Sequence, residues 1–271
     1  MLVLRDFALR PEDGRMTMVL NPGQFLCILG PAAAGKSRLA AIIAGQAGGA
    51  VVGQVSGPER VSYAEPGGLP GRTRISAGRG GSLSVEATEL LGRLGLWEVR
   101  TRPVSELTAG QTSAAEIYFA LIAGAPIVIL DGQLDQHDVV TREFVEGYLE
   151  AKLADGLLVV VVTHDVSLAE RADAIMVLQD RYIRYAGPPE GLARTAGPTE
   201  ITVETTDQRA VRALVEPFSI SAQATETGWK FTAEEGQAVA ARLLRDGYGD
   251  VKWVIMRTPR LRDALRNLLT V

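Results

Sequence analysis

The order of sequence elements predicts an α/β protein with a mostly parallel core sheet, followed by a smaller α+β unit. Three observations carry this. Ile127-Val128-Ile129-Leu130 and Leu157 to Val162 are apolar runs without alternation, separated by helix-forming sequence, as in strands covered on both faces. A Gly-rich turn at residues 30–37 stands between the strand-like run Gln24 to Leu29 and the helix former Arg38 to Ala44. Beyond Gly197-Pro198 the order becomes strand, helix, strand, strand, helix, strand.

Taken in order, Met1 to Leu9 and Arg15 to Leu20 read as two strands joined by the turn Pro11-Glu12-Asp13-Gly14, an antiparallel β edge. After the Gly-rich turn and its helix come an Ala/Gly stretch, a short strand around Gly53-Gln54-Val55, and another from Arg60 to Ala64. Glu65 to Ser82 is loose, punctuated by Pro66, Gly67, Gly68, Pro70, Gly71, Gly78, Gly80 and Gly81. Val85 to Leu94 reads as a helix, and a second is expected from Ser113 to about Ala123. Val140, Phe144, Tyr148 and Leu149 recur at helical spacing between the two buried strands. A domain boundary near Gly197-Pro198 divides residues 1–197 from residues 198–271. The second part reads as strand 201–205, helix 209–215, strands 219–224 and 228–232, helix 236–245, strand 251–256 and helix 260–269. This βαββαβ order with a final helix is ferredoxin-like. It carries no metal-ligand spacing, so a structural or dimer-forming role is expected of it.

Composition narrows the class. At 46% hydrophobic and 22% charged, the chain matches an ordinary globular protein. A formal net charge of −4 gives no sign of a dedicated nucleic-acid surface. No apolar run approaches the ~20 residues that cross a bilayer. Met1 to Asp6 meets base and acid at once and does not read as a secretory signal. The single Cys27 excludes an internal disulfide and sits in the expected buried strand, so it reads as core. These features point to the cytoplasm and leave membrane attachment through a partner open.

The chemistry begins with Gly30-Pro31-Ala32-Ala33-Ala34-Gly35-Lys36-Ser37, a complete G-x-x-x-x-G-K-[ST] phosphate loop in a strand–turn–helix setting. Backbone N–H groups would wrap the phosphates, Lys36 would reach the β- and γ-phosphates, and the Ser37 hydroxyl would hold Mg²⁺. Asp131, ending an apolar strand, resembles a Walker B carboxylate and would complete the Mg²⁺ site, directly or through water. Leu107-Thr108-Ala109-Gly110-Gln111 precedes it, and Thr163-His164-Asp165 ends the next strand.

With these four elements in this order, residues 1–192 resemble the ATP-binding subunit of ABC transporters, a P-loop NTPase. Leu107 to Gln111 matches the family's Leu-Ser-Gly-Gly-Gln signature with two changes, and His164 its histidine switch. Tyr185 to Glu190 resembles the usual ending of the ATP-binding domain. The C-terminal region, with Arg257 to Leu265, resembles the accessory domain behind ATPases that serve efflux-type or ABC-2-type permeases. The resemblance implies that two subunits clamp two ATP molecules between them. It also implies that Thr108, Ala109, Gly110 and Gln111 contact the opposing subunit's nucleotide, and that His164 contacts the γ-phosphate or holds the attacking water.

The chain also departs from that pattern. Gly132 stands where the family places the glutamate that polarises water, a group typically worth ~10²–10⁴-fold. Asp135 and Asp138 follow within a turn, and one of them is expected to belong to the next loop. Glu65 or Pro66 stands where a Mg²⁺-sensing Gln is usual, and Thr112-Ser113-Ala114-Ala115 replaces the basic residues after the signature. No adenine-stacking aromatic is evident; Phe7 reads as core. The segment 65–107 is short for a complete helical subdomain. The resemblance thus implies a degenerate subunit that binds Mg-ATP and hydrolyses it weakly or not at all at its own site. It would pair with a complete second ATP-binding subunit, a heterodimer fitting better than a homodimer. It would sit at the inner face of the cell membrane on a separate permease. The alternative is an ATP sensor that never touches a permease.

Overall fold

The computed structural model describes residues 1–47, 52–77, 83–247 and 249–270. Gly78, Gly80, Gly81 and Ser82 of the loose segment, and Gly48, Gly49 and Ala50 of the Ala/Gly stretch, lie outside the described residues. The chain divides into two compact units, Met1–Pro189 and Glu190–Val271.

The first unit begins with β1 (Leu2–Ala8), β2 (Met16–Leu20), β3 (Phe25–Leu29), α1 (Lys36–Ile43), β4 (Val52–Ser56) and β5 (Val61–Ala64). It continues with α2 (Val85–Arg93), α3 (Ala109–Ile122), β6 (Ile127–Asp131), α4 (Val139–Ala154), β7 (Leu158–Val162) and α5 (Val166–Glu170). It ends with the hairpin of β8 (Ala174–Gln179) and β9 (Tyr182–Gly187). The core sheet runs β5-β6-β7-β3-β8-β9, parallel except for β9. A separate antiparallel sheet, β2-β1-β4, forms the expected β edge.

The absence of alternation in β3, β6 and β7 has a direct cause: all five residues of each are buried. Leu26, Ile28, Ile129, Val160 and Met176 pack on one face with Leu39 and Ile43 of α1 and with Leu2, Leu4 and Phe7 of β1. Each such side chain stabilises by about 1.5–3 kcal/mol on leaving water. Phe7 is therefore core, as its sequence setting suggested. Cys27 is fully buried, and burial pushes its thiol far above the ordinary range, which leaves it inert.

Helix α3 starts earlier than its apolar pattern suggested. Thr108 caps it, its hydroxyl accepting the Gln111 N–H at 3.3 Å, while Gln111 Oε1 accepts the Thr108 N–H at 3.0 Å. This reciprocal capping box nucleates the helix four residues ahead of Ser113, at Ala109. Between β5 and α3, the described residues hold α2 and three short 3₁₀ turns, at Ile75–Ala77, Trp97–Val99 and Val104–Glu106.

The second unit holds α6 (Pro189–Ala193, entered from the first unit), β10 (Thr199–Thr205), α7 (Gln208–Val215), β11 (Ser221–Ala224), β12 (Gly228–Ala233), α8 (Gly236–Asp246), β13 (Val251–Arg257) and α9 (Leu261–Leu269). Its antiparallel sheet, β11-β12-β10-β13, has the ferredoxin-like order. β10 alternates buried and half-buried residues, so one face meets the core. There Ile201, Val203 and Phe231 pack against Val211 and Val215 of α7 and Val239 and Leu243 of α8.

Candidate functional site

The carboxyl ends of β3, β6 and β7, neighbours in the parallel sheet, assemble the site. β3 delivers the loop 30–37. At Gly30, φ is 147°, and a Cβ there would stand 2.2 Å from the Leu178 carbonyl oxygen of β8. Only glycine lets the chain turn so close to that strand. Ala33 (φ 60°) and Gly35 (φ 95°) are also left-handed, and α1 starts at Lys36 with no side chain capping it. A loop wound this way into a helix start is a ready anion site. Pro31, Ala32 and Ala33 are exposed, whereas Ala34 is buried and its carbonyl accepts the Arg181 N–H at 3.1 Å.

Lys36 folds back across its own loop. Its Nζ donates to the carbonyls of Gly30 and Pro31, both at 2.8 Å. Burial lowers its pKa, opposed by the charges of Asp131 and Asp135. Asp131, buried at the end of β6, accepts the Ser37 hydroxyl on Oδ1 at 3.1 Å and the Tyr63 hydroxyl on Oδ2 at 2.9 Å. Burial first, then the Asp131 charge and hydrogen bond, push the Tyr63 phenol far above its ordinary range, so it stays a donor.

Gly132 follows with φ 83°, its N–H donating to the Val162 carbonyl at 2.9 Å. A Cβ there would meet nothing within 4 Å. The position is roomy, but its backbone is turned into a conformation that costs side-chain-bearing residues ~1–2 kcal/mol.

The two nearby acids are both engaged. Asp135 accepts the Thr163 hydroxyl on Oδ1 and the His164 N–H on Oδ2 at 3.1 Å, bracing the end of β7. Asp138 caps α4, accepting the Thr141 N–H at 3.0 Å and the Thr141 hydroxyl at 2.9 Å, which holds its carboxyl below the usual range. His164 is exposed at the strand end.

The structure thus brings together Gly30 to Ser37, Asp131 and, through Asp135, the backbone of His164. It does not bring the signature to them. Thr108, Ala109 and Gly110 are exposed at the start of α3, and Thr108 and Gln111 are bonded to each other.

Sequence reasoning missed the polar groups behind the site. Buried Glu116 of α3 accepts the Gly67 N–H on Oε1 at 2.6 Å and the Gln133 amide on Oε2 at 3.2 Å. Ser113 Oγ lies 3.1 Å from His137 Nε2. These bonds tie the turn after β5, helix α3 and the turn after Asp131 together, in the region where the basic residues are missing. Tyr63 was missed as well. Its one signal was its place near the carboxyl end of a strand; that β5 lies beside β6 is visible only in the fold.

Comparison with known proteins points one way. A family model described as "ABC transporter" matches residues 14–134. The aliphatic sulfonates import ATP-binding protein SsuB of Ralstonia nicotianae is 28% identical over 246 residues, covering 78% of this chain and 84% of the relative. The SsuB 1 protein of Rhodococcus jostii is 32% identical over 180 residues, covering 61% of this chain and 72% of that one. The dimeric ATP-binding cassette MJ0796, solved in a post-hydrolysis state with ADP and Pi, shares the fold with a TM-score of 0.58. It is 21% identical, covering 69% of this chain and 98% of that one.

Proposed function

This chain belongs to the ATP-binding subunits of ABC transporters. On that premise, we propose that it binds Mg-ATP at a dimer interface and hydrolyses it weakly or not at all at its own site. One observation carries the reading: Lys36, Ser37 and Asp131 converge at the strand ends, while the next residue, Gly132, has no side chain. Asp135 and Asp138 are held to other tasks: Asp135 braces Thr163 and His164 at the end of β7, and Asp138 caps α4.

The donor set suits the metal. A hydroxyl and a carboxylate, 3.1 Å apart beside the phosphate loop, are the hard oxygen ligands that Mg²⁺ takes. When bound, Mg²⁺ neutralises charge on the phosphates. Lys36 would leave the Gly30 and Pro31 carbonyls for the β- and γ-phosphates, and the loop N–H groups would hold the rest. His164 would reach the γ-phosphate from the end of β7. Thr108 to Gln111, exposed on α3, would close over the nucleotide of the opposing subunit.

In this reading the opposing subunit is a second, catalytically complete ATP-binding subunit. Binding energy holds the pair shut, and hydrolysis at the partner's own site, covered by Thr108 to Gln111, releases it. The pair would sit on a separate membrane permease at the inner face of the cell membrane. No helix among the described residues is long and apolar enough to cross a membrane. The unit Glu190–Val271 serves as an accessory domain.

Purifying the tagged chain in mild detergent from its native cells tests this. A stoichiometric membrane protein with a second ATP-binding subunit is the expected result. A membrane protein with this chain alone would overturn the asymmetric pairing, and a soluble chain without either would favour an ATP sensor. Gly132→Glu tests the missing base. The variant is expected to lose about 1 kcal/mol of stability through its φ and to raise the ATPase rate of the assembled complex. An unchanged rate would place the defect elsewhere in the site.

A further inference from the structure

Asp131 is held from two sides by hydroxyls of its own chain. One, Ser37, belongs to the phosphate loop. The other comes from β5: Tyr63 reaches across to the neighbouring strand and donates to Oδ2 at 2.9 Å. Asp131 is only 3% exposed, so few other donors can reach it. A hydrogen bond to a carboxylate oxygen occupies a lone pair and draws charge away from an approaching cation. A water bound to Mg²⁺ would donate to the same kind of oxygen and must share or displace the phenol. We propose that Tyr63 is a positioning residue that competes with hydrated Mg²⁺ for Asp131, raising the Mg²⁺ concentration at which this chain binds ATP. The inference rests on the Mg-ATP reading above.

The test is ATP binding to the full chain, measured calorimetrically across a Mg²⁺ series, for the wild type and Tyr63→Phe. Loss of the phenol oxygen is expected to lower the half-maximal Mg²⁺ concentration about tenfold, the scale of one charged hydrogen bond. The same requirement in both proteins would overturn the role of Tyr63 and leave the Mg-ATP reading standing. A wild type that binds no ATP at any Mg²⁺ concentration would overturn both. A second readout needs no variant. Adding Mg²⁺ to the wild type in the presence of excess ATP is expected to blue-shift tyrosine absorbance, as a phenol loses its anionic acceptor. No shift would mean that the metal leaves the Tyr63–Asp131 bond intact, and the competition would be refuted.

Discussion

Lys36→Ala is expected to abolish measurable ATP binding while leaving the fold intact. The ammonium is satisfied by the carbonyls of Gly30 and Pro31. Pro31 is exposed, so water can replace the lost donor there. The Gly30 carbonyl is buried and loses its donor, so a fall in stability of about 1–3 kcal/mol is expected with the fold retained. Nucleotide has no such substitute, because Lys36 is the loop's only cation. At ~1.5–3 kcal/mol for each charged hydrogen bond, losing contacts to two phosphates weakens binding by roughly a hundredfold or more. Titration calorimetry of the two proteins, with thermal melting as the fold control, reads this directly. Equal affinities would contradict the phosphate-loop assignment.

Gly30→Ala is expected to damage the fold itself. Its Cβ would lie 2.2 Å from the Leu178 carbonyl oxygen and 3.1 Å from its carbon, and these are backbone atoms of a fully buried residue in a central strand. They cannot swing aside as a side-chain tip would. The loop must lift off β8 or the strand must shift, at roughly 3 kcal/mol or more when strain and overpacking combine. A fall in the denaturant midpoint, with loss of ATP binding, is the expected outcome; an unchanged midpoint would show that the loop can sit otherwise. Gly110→Ala is the matched contrast. A Cβ at Gly110 meets nothing within 4 Å, and the residue is the second of α3. The same methyl should leave the stability there within about 0.5 kcal/mol. If ATP turnover of the assembled complex nevertheless fell, the signature would be acting across an interface.

The legibility of this chain varied with how local each feature is. The phosphate loop, Asp131 and the absence of a side chain at Gly132 are one-dimensional facts, and the structure places the first two together as their spacing implied. The start of α3 was misplaced because its apolar pattern begins at Ser113, whereas the helix is nucleated by the polar pair Thr108 and Gln111. Period and capping are separate signals, and there the cap decided. The ferredoxin-like order of the second unit was readable because β10 alternates and α8 carries a regular apolar stripe.

By itself, the sequence determined the α/β architecture, the phosphate loop and the family to which the chain belongs. These follow from hydrophobic period and from motifs confined to a few consecutive residues. Only the tertiary structure decided how each acid is used. It put Asp135 on Thr163 and His164, Glu116 between Gly67 and Gln133, and Tyr63 on Asp131. Those pairings join residues from separate strands, helices and loops. A hydrogen bond depends on a separation of about 3 Å in space, and no spacing along the chain encodes which strand ends lie side by side.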